Sequence, residues 1–566
     1  MTLRDDIAAL IQGDVANDEE TLRKYSRDTS IFERKPSLVV FPKNAEDVSA
    51  VVKYVREARA RGEKISLAPR SAGTDMTGGP LTDSISLVFT KYMNKLYEVG
   101  NDADPSSMTG YAIAEPGIYY RDFEKATIEK TGKLIPSYPA SRELCALGGM
   151  IGNNSGGELT LRYGQTNRYV RELDVVLSDG TRTQVRPLDQ KALAAKEAQQ
   201  DFEGEVYRKT RALLEANERE IEDARPNVSK NSAGYFLWNV RNKDRGTFDL
   251  TQLITGSQGT LAVVTKATMG LLRPKEHKAM LVVFLFDFDV LPEIVQRVLT
   301  YKPESFESYD DQTFRLAVRF IPQIVRHFGV IDMIKLAFAF IPEMLIVALG
   351  GVPKLVLMAE FAENSEAEAV AKAREAQRAL ADLPVKTKIA ASETAAAKYW
   401  TIRRESFSLL RKNLRGLYAA PFIDDLVVHP ADYPEFLPEL NQILQEYSLI
   451  YTIAGHIGDA DFHIIPLMDL AQPSSRKMIT ELEEKVYRLV VKYKGSITGE
   501  HNDGIVRTPY LPLMFSPRMI ELFAETKKIF DPANILNPGK KVDGDVDDIK
   551  ESMLTSSVSA QTTSSR

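Results

Sequence analysis

A run of glycine, serine and threonine directly after a short apolar strand constrains this chain more than any other feature. Ile65 to Ala68 is predicted as the strand, and the run Pro69-Arg70-Ser71-Ala72-Gly73-Thr74-Asp75-Met76-Thr77-Gly78-Gly79 follows it. Glycines let the backbone turn tightly and present successive N–H groups to an anion, while the hydroxyls add donors. A pyrophosphate suits such a loop, although a plain structural turn explains this run equally well.

The residues around this loop predict an α/β unit. Leu38 to Phe41 is a short apolar strand candidate, and Asn44 is placed to cap the helix that follows. That helix is predicted from the spacing of Val48, Val51, Val52 and Val55. Ile85 to Phe89 is the third strand candidate, and Leu173 to Val185 predicts a hairpin turning at Asp179-Gly180.

Two further glycine-rich loops favour a nucleotide over simple turns. Gly148-Gly149-Met150-Ile151-Gly152-Asn153-Asn154-Ser155-Gly156-Gly157 is followed closely by Tyr163-Gly164, and the other loop is Gly256-Ser257-Gln258-Gly259-Thr260-Leu261. Neither the Rossmann fingerprint nor the P-loop motif is present. Three such loops in one α/β domain suit an extended dinucleotide that lies against the backbone.

Three of the six histidines lie in two short motifs near the C-terminus. His456 and His463 flank a tight connection between strand candidates Leu449–Ala454 and Phe462–Ile465. A predicted helix, Lys477–Lys494, and a predicted strand, Ser496–Thr498, then lead to Glu500 and His501. Two imidazoles and a carboxylate on strand ends predict a divalent metal site with open positions. The alternative is that these are hydrogen-bonded structural histidines.

Together these motifs resemble a known family. The three loops, with Pro116-Gly117 and Leu173–Gly180, resemble the FAD-binding domain of the vanillyl-alcohol-oxidase (PCMH-type) flavoproteins. The later motifs are similar to the FAD-linked oxidase C-terminal domain of D-lactate, D-2-hydroxyglutarate and glycolate dehydrogenases. The likeness runs from about Tyr25 to Lys541, and Asp531–Lys540 matches a C-terminal signature of that family.

The resemblance implies an α+β fold in four parts. Residues 1–274 would form a PCMH-type FAD-binding domain of two α/β subdomains. Residues 275–505 would form an α+β cap domain with an antiparallel sheet, where substrate binds. Residues 506–545 would return to the FAD domain. Residues 546–566 are predicted to be a disordered tail, because Glu551 to Arg566 are mostly serine and threonine with few apolar residues.

The resemblance also implies where FAD binds. Some members attach the flavin through a histidine of the first loop, but no histidine precedes His277, so FAD is expected to bind noncovalently. The expected FAD-binding residues are Arg70, Ser71, Ala72, Gly73, Thr74, Thr77, Gly78, Gly79, Pro116, Gly148, Gly149, Gly152, Asn153, Asn154, Gly156, Gly157, Tyr163, Gly164, Gly256, Gly259, Thr260, Val263 and Asn537.

The resemblance assigns roles to the histidine motifs. His456, His463 and Glu500 would bind the metal, either Zn or Mn, and His501 would take the proton of the substrate hydroxyl. The expected reaction is oxidation of a D-2-hydroxy acid to the 2-oxo acid, with hydride transfer to the flavin. Arg403 matches the family's clamp for the substrate carboxylate, and the neighbouring Arg404 is expected to point elsewhere.

One departure puts the substrate assignment in question. The family reads Gly-Asn where this chain has Ala460-Asp461. An aspartate is a poor neighbour for a substrate carboxylate unless it joins the metal shell or is protonated. Alternatives are therefore kept: a flavoprotein resembling alkylglycerone-phosphate synthase that acts on a lipid, a metallohydrolase built on the histidines, and a noncatalytic binding protein.

Composition narrows the partners and the location. The net charge of −6 argues against nucleic acid, and the single Cys145, expected to pack among apolar neighbours, excludes disulfide and iron–sulfur frameworks within the chain. No secretion signal or membrane-spanning run is visible, so a cytoplasmic location is expected.

Residues 314–349 carry an apolar helical face, which is interpreted either as cap-domain core or as a peripheral membrane contact. Membrane contact would favour a quinone as electron acceptor, and otherwise a soluble electron carrier or oxygen is expected.

Overall fold

The chain divides into two compact units. The computed structural model describes residues 2–102, 109–311, 351–413, 417–447 and 449–555, with the backbone alone for 404–413. The first unit comprises Met1–Gly157, Gly164–Pro274 and Ser496–Leu554. The second comprises Glu158–Tyr163 and Lys275–Gly495. Each mixes helices with sheets, so the predicted α+β class is confirmed.

A four-stranded sheet opens the first unit. Its strands are β1 (Asp14–Ala16), β2 (Leu38–Phe41), β3 (Leu67–Arg70) and β4 (Ile85–Val88), in the order β1-β2-β4-β3. β2, β4 and β3 are parallel, and β1 is an antiparallel edge. The helix Ala45–Ala60 begins where the Asn44 side chain accepts from the Asp47 N–H, and its valines pack on these strands. The predicted helix and the β2 and β4 predictions are confirmed, whereas β3 begins two residues later than predicted.

The second sheet of this unit is antiparallel. It contains β5 (Leu96–Asn101), β6 (Thr109–Ala114), β7 (Val170–Val176), β8 (Arg182–Val185) and β11 (Val263–Leu272), in the order β5-β6-β11-β7-β8. The predicted hairpin at Asp179-Gly180 is the β7–β8 pair. A short hairpin is formed by β9 (Arg241–Asn242) and β10 (Thr247–Phe248).

The remaining helices of the first unit include one that the sequence did not predict. Val546–Ser552 is helical, and Arg34 forms an ion pair of 2.6 Å with Asp548. The predicted disordered tail is therefore wrong for residues 546–555, while residues 556–566 lie outside the described chain. The others are Leu3–Leu10, Glu19–Lys24, Tyr120–Thr131, Leu147–Asn153, Gln190–Glu197, Phe202–Ala216, Glu218–Asp223, Thr251–Ile254, Gly504–Arg507, Leu511–Met514 and Pro517–Phe530.

The second unit is built on one antiparallel sheet of eight strands. They are β12 (His277–Leu285), β13 (Ser305–Asp310), β14 (Leu355–Glu363), β15 (Lys386–Ala390), β16 (Tyr418–Ala419), β17 (Leu426–Val427), β18 (Ile450–His456) and β19 (Asp461–Met468). The order is β15-β12-β14-β13-β18-β19-β16, with β17 also paired to β19. This confirms the predicted antiparallel cap sheet. The helices are Thr160–Tyr163, Leu291–Leu299, Glu366–Arg378, Glu393–Asn413, Tyr433–Gln445 and Pro473–Lys492.

The chain re-enters the first unit earlier than predicted. The boundary lies at Ser496, whereas the sequence prediction put it after residue 505. The segment Ser496–Thr498 was also predicted as a strand, and it does not form one. Its polar groups instead bond to a loop of the first unit: Ser496 Oγ donates to Asn231 Oδ1 (2.7 Å) and Ser232 N donates to Thr498 O (3.0 Å).

The predicted apolar face at 314–349 lies outside the described residues. Within the part of the chain that the structure describes, no helix has both the length and the hydropathy needed to cross a membrane.

Candidate functional site

The three glycine-rich loops meet within the first unit. Ser71 Oγ of the first loop and the Gly148 N–H of the second both donate to the carbonyl of Pro116, at 3.1 and 2.8 Å. In the third loop, Gln258 N donates to Gly152 O at 2.9 Å. Segments far apart in the sequence therefore form one continuous surface of backbone.

Side chains of two residues outside the predicted set hold these loops together. Asp75 accepts from the Gly79 N–H (2.7 Å) and from Asn153 Nδ2 (2.6 Å), which ties the first loop to the second. Gln258 Nε2 donates to Asn153 Oδ1 (3.3 Å). Asn537 Nδ2 donates to Gly79 O (2.9 Å) and Gln258 O (2.8 Å). Asp75 and Gln258 lay inside the recognised loops, but nothing local distinguished them from their neighbours.

The loop surface fits a group that lies flat on the backbone. Outside the backbone of their own helix, a Cβ added at Gly149 would have one described atom within 4 Å, which is Ser71 Cβ at 3.9 Å. A Cβ added at Gly152 would likewise have one, Gln258 Cα at 4.0 Å. Nearby, the buried atoms Asn154 Nδ2 and Asn537 Oδ1 have no hydrogen-bond partner among the described residues. An unsatisfied buried polar atom costs about 1–3 kcal/mol, so polar edges of a flavin dinucleotide would stabilise this surface.

Other predicted FAD residues have structural contacts of their own. The Arg70 guanidinium donates to the carbonyl of Arg27 (2.6 Å), and burial lowers the pKa of this side chain. A Cβ at Gly157 would lie 2.2 Å from the carbonyl oxygen of Tyr138, so packing requires glycine there. Tyr163 belongs to the second unit, where its hydroxyl donates to Glu304 Oε1 (2.7 Å).

The remaining members of the predicted set lie mostly along the three loops. Thr77 N and Oγ1 donate to Asp75 Oδ2, and Thr260 Oγ1 is 2.7 Å from the Tyr235 hydroxyl. Backbone φ is positive at Gly73, Gly78, Gly164, Gly256 and Gly259, which is the region that favours glycine. Val263 is the first residue of β11. Burial raises the pKa of the Cys145 thiol to about 12, which agrees with a packing role.

The segment that carries Glu500 and His501 is bonded to all three loops. Asn502 Nδ2 donates to the carbonyls of Asn153 (3.0 Å) and Gly256 (2.9 Å). Ile505 N donates to the Thr77 carbonyl at 2.8 Å, and Gly504 N donates to Gln258 Oε1 at 2.9 Å. The sequence predicted these motifs separately, and the tertiary structure of the first unit places their backbones side by side.

Glu500 is a buried carboxylate with a buried cation beside it. Its Oε2 lies 3.0 Å from Lys230 Nζ, and the exposed fractions of the two side chains are 4% and 0%. His501 Nε2 lies 3.9 Å from Glu500 Oε1. The pairing offsets the cost of burying each charge. Lys230 was not predicted as a site residue, since its partner is remote in the sequence.

In the second unit, a hairpin brings together the other predicted metal ligands. β18 ends at His456 and β19 begins at Asp461, and the pairing His456↔Asp461 and Ala454↔His463 puts both histidines and Asp461 on one face. Each of these three residues offers a ligand atom within 4.8 Å of the others. The imidazole ring centroids are 5.1 Å apart.

Carboxylates orient both imidazoles in the same way. His456 Nδ1 lies 2.6 Å from Glu307 Oε1, and His463 Nδ1 lies 2.8 Å from Asp424 Oδ1. An Nδ1–H donated to a carboxylate leaves the lone pair on Nε2, which is the arrangement of metal-binding histidines. This donor set fits a divalent metal. The sequence analysis did not predict Glu307 and Asp424 as site residues, because they are 149 and 39 residues away from their histidines in the sequence and only the tertiary structure brings them together.

Arg403, the predicted carboxylate clamp, lies on the helix Glu393–Asn413. Its Nη2 is 3.4 Å from Glu307 Oε2, so the carboxylate that orients His456 also pairs with Arg403. On the same helix, Trp400 Nε1 donates to Glu360 Oε2 at 3.1 Å. The side chain of Arg404 lies outside the described residues.

Comparison with known proteins shows which families and which fold this chain matches. A model of the FAD binding domain matches residues 36–186, and a model of the C-terminal domain of FAD linked oxidases matches residues 274–541. Among solved structures, 4-ethylphenol oxidase from Gulosibacter chungangensis superimposes with a TM-score of 0.65 at 17% identity, covering 95% of this chain and 96% of that one. The chain is thus a flavoprotein of the PCMH-type fold.

It belongs to the FAD-linked oxidases. D-2-hydroxyglutarate dehydrogenase of Pseudomonas putida is 27% identical over 533 residues, which is 94% of this chain and 50% of that protein. Glycolate oxidase subunit GlcD of Bacillus subtilis is 26% identical, with 91% of each chain covered. The chain spans about half the length of the D-2-hydroxyglutarate dehydrogenase that it matches.

Proposed function

We propose that this protein is an FAD-dependent dehydrogenase that oxidises a D-2-hydroxy acid to the 2-oxo acid. The substrate class is that of D-lactate, glycolate and D-2-hydroxyglutarate. The observation that carries the proposal is the set of hydrogen bonds from Asn502 to Asn153 and Gly256, because they fix the backbone beside His501 against the glycine-rich loops. The names of the relatives support the same reaction class.

His501 is assigned the proton of the substrate hydroxyl. The hydroxyl proton moves to the imidazole, and the hydrogen on the carbon that carries this hydroxyl leaves as hydride. The C–O bond then becomes the C=O bond of the 2-oxo acid. FAD, when bound, supplies the acceptor for that hydride. A soluble electron carrier or a quinone would then take the two electrons from the reduced enzyme.

A divalent metal, Zn or Mn, is part of the proposal. His456 and His463 would hold it through Nε2, and the family resemblance adds Glu500 as a ligand. The metal would lower the pKa of the substrate hydroxyl. Asp461 offers a further carboxylate oxygen beside the two histidines, so it suits the metal shell better than contact with a substrate carboxylate.

Arg403 is assigned the substrate carboxylate. A guanidinium carries five N–H donors in a fork that matches carboxylates, so it can contact more than one carboxylate, and Arg403 Nη2 already lies 3.4 Å from Glu307 Oε2. The 13% exposed fraction of its side chain is consistent with a largely desolvated clamp.

The visible spectrum of the purified protein tests the proposal directly. D- and L-2-hydroxy acids are added one at a time without oxygen, and bleaching of an oxidised-flavin spectrum by a D-acid is expected. A flavin that no hydroxy acid bleaches would contradict the proposal and favour a lipid-exchange reaction like that of alkylglycerone-phosphate synthase. Failure to bind added FAD would contradict the flavoenzyme assignment itself.

A pair of histidine variants tests the assigned base. His501→Asn should retain FAD and lose most substrate reduction, because no imidazole remains to accept the proton. His277→Asn is the matched control, since His277 is exposed at the start of β12 and should reduce its flavin at the wild-type rate. Equal reduction rates in the two variants would remove His501 from the mechanism.

A further inference from the structure

Glu307 is a buried carboxylate whose two oxygens contact two different elements. The exposed fraction of its side chain is 2%. Oε1 lies 2.6 Å from His456 Nδ1 on β18, and Oε2 lies 3.4 Å from Arg403 Nη2 on the helix Glu393–Asn413. Burying an ionised carboxylate is costly unless it is paired and hydrogen-bonded, and these contacts supply both partners.

Strand pairing determines where this carboxylate points. Strands β13 and β18 pair Tyr309 with Ala454 and Ser308 with Gly455, and the same register extended by one residue places Glu307 opposite His456. Tyr309, two residues from Glu307, faces the same side of the sheet and belongs to the same hydrophobic cluster as Tyr399 of the helix Glu393–Asn413. A shift of one residue in this pairing would turn Glu307 to the opposite face.

We propose that Glu307 is a positioning residue that links the substrate clamp to a metal ligand. It holds His456 in the tautomer whose Nε2 can bind a metal, and its other oxygen pairs with Arg403, the proposed clamp for the substrate carboxylate. The role assigned to the Arg403 contact rests on the proposed function, because it involves the substrate. The role assigned to the His456 contact concerns metal binding alone and can be tested without turnover.

Because Glu307 contacts both His456 and Arg403, one substitution at Glu307 should change both metal affinity and the KM for the hydroxy acid. Loss of a carboxylate that orients a metal-binding histidine typically weakens metal affinity by about 10–100-fold. Glu307→Gln keeps the size of the side chain but removes the charge that Arg403 pairs with. We therefore expect weaker metal binding together with a higher KM for the hydroxy acid, the increase in KM being larger than the decrease in kcat.

Asp424→Asn is the matched control, because Asp424 orients His463 as Glu307 orients His456, whereas Glu307 is the carboxylate that pairs with Arg403. Metal-depleted flavoprotein is titrated with Co2+ alone, and the visible Co2+ absorption gives the Kd. Both variants should raise the Kd by about 10-fold or more, whereas Glu307→Gln should raise KM more than Asp424→Asn does. Wild-type Kd and KM in Glu307→Gln would overturn the proposal.

A second variant covers the case in which Glu307→Gln does not fold. Glu307→Asp keeps the charge, but its shorter side chain cannot span both partners, so either the Co2+ Kd or the KM should rise about tenfold. Wild-type values for both would overturn the proposal. If the wild-type flavin is reduced by no hydroxy acid, the proposed function fails, and the Co2+ titration still decides whether Glu307 positions His456.

Discussion

The open backbone at Gly149 gives a sharp test of where FAD lies. Gly149 lies in the helix Leu147–Asn153, and outside the backbone of that helix the one described atom within 4 Å of a Cβ there would be Ser71 Cβ, at 3.9 Å. Alanine in a helix is more stable than glycine by about 0.5–1 kcal/mol. Gly149→Ala should therefore raise the unfolding temperature of the protein without FAD.

The same methyl group would stand where the cofactor is proposed to lie. Overpacking of this kind costs about 1–3 kcal/mol, and each 1.4 kcal/mol is tenfold in affinity. The FAD Kd of Gly149→Ala should thus rise by about 10–100-fold. The combination of a more stable apoprotein and weaker FAD binding is specific to a backbone that contacts the cofactor.

The assay is titration of apoprotein with FAD, followed by flavin fluorescence, beside a thermal melt of the apoprotein. Gly148→Ala is the control from the same helix, because its Cβ would lie 2.6 Å from Ser71 Oγ and 2.9 Å from the Pro116 carbonyl oxygen. That variant should lose apoprotein stability. A wild-type FAD Kd in Gly149→Ala would refute the reasoning.

Three further predictions concern buried charges and the metal. Lys541 Nζ lies 2.7 Å from the buried carboxylate of Asp503, so Lys541→Met would leave that carboxylate without this cation. We expect the free energy of unfolding in urea titrations to fall by about 3–5 kcal/mol, and a decrease of less than about 1 kcal/mol would contradict this. Burial lowers the pKa of Lys540 to about 7, so between pH 7 and its ordinary pKa the unfolded state binds more protons and stability rises with pH, by up to about 1.4 kcal/mol per unit. Below pH 7 the lysine is charged in both states and contributes no slope; Lys540→Met should abolish the rise measured from pH 7 to 9, and an unchanged rise would exclude Lys540 as its cause. His456→Ala should lose both bound metal and turnover, and a metal content equal to that of wild type, measured by elemental analysis, would remove His456 from the ligand set.

Much of the architecture is readable from local sequence because local rules produce it. Asn44 caps its helix, Asp179-Gly180 turns its hairpin, and the residues flanking His456 and His463 alternate as paired strands do. The glycine-rich loops are recognisable because an anion-binding backbone needs glycine and hydroxyl residues close together in sequence. The error over Ser496–Thr498 has the opposite origin, since loop contacts there override an extended, β-like pattern.

The amino-acid sequence by itself therefore determined the flavin loops, the histidine hairpin and the absence of a histidine for covalent attachment before His277. Only the tertiary structure decided that Glu307 lies against His456, because 149 residues separate them and strand order alone brings them together. It also decided that Asn502 binds the second and third loops. Such contacts depend on which distant segments pair, and that choice follows from burial summed over the whole fold, which no local pattern records.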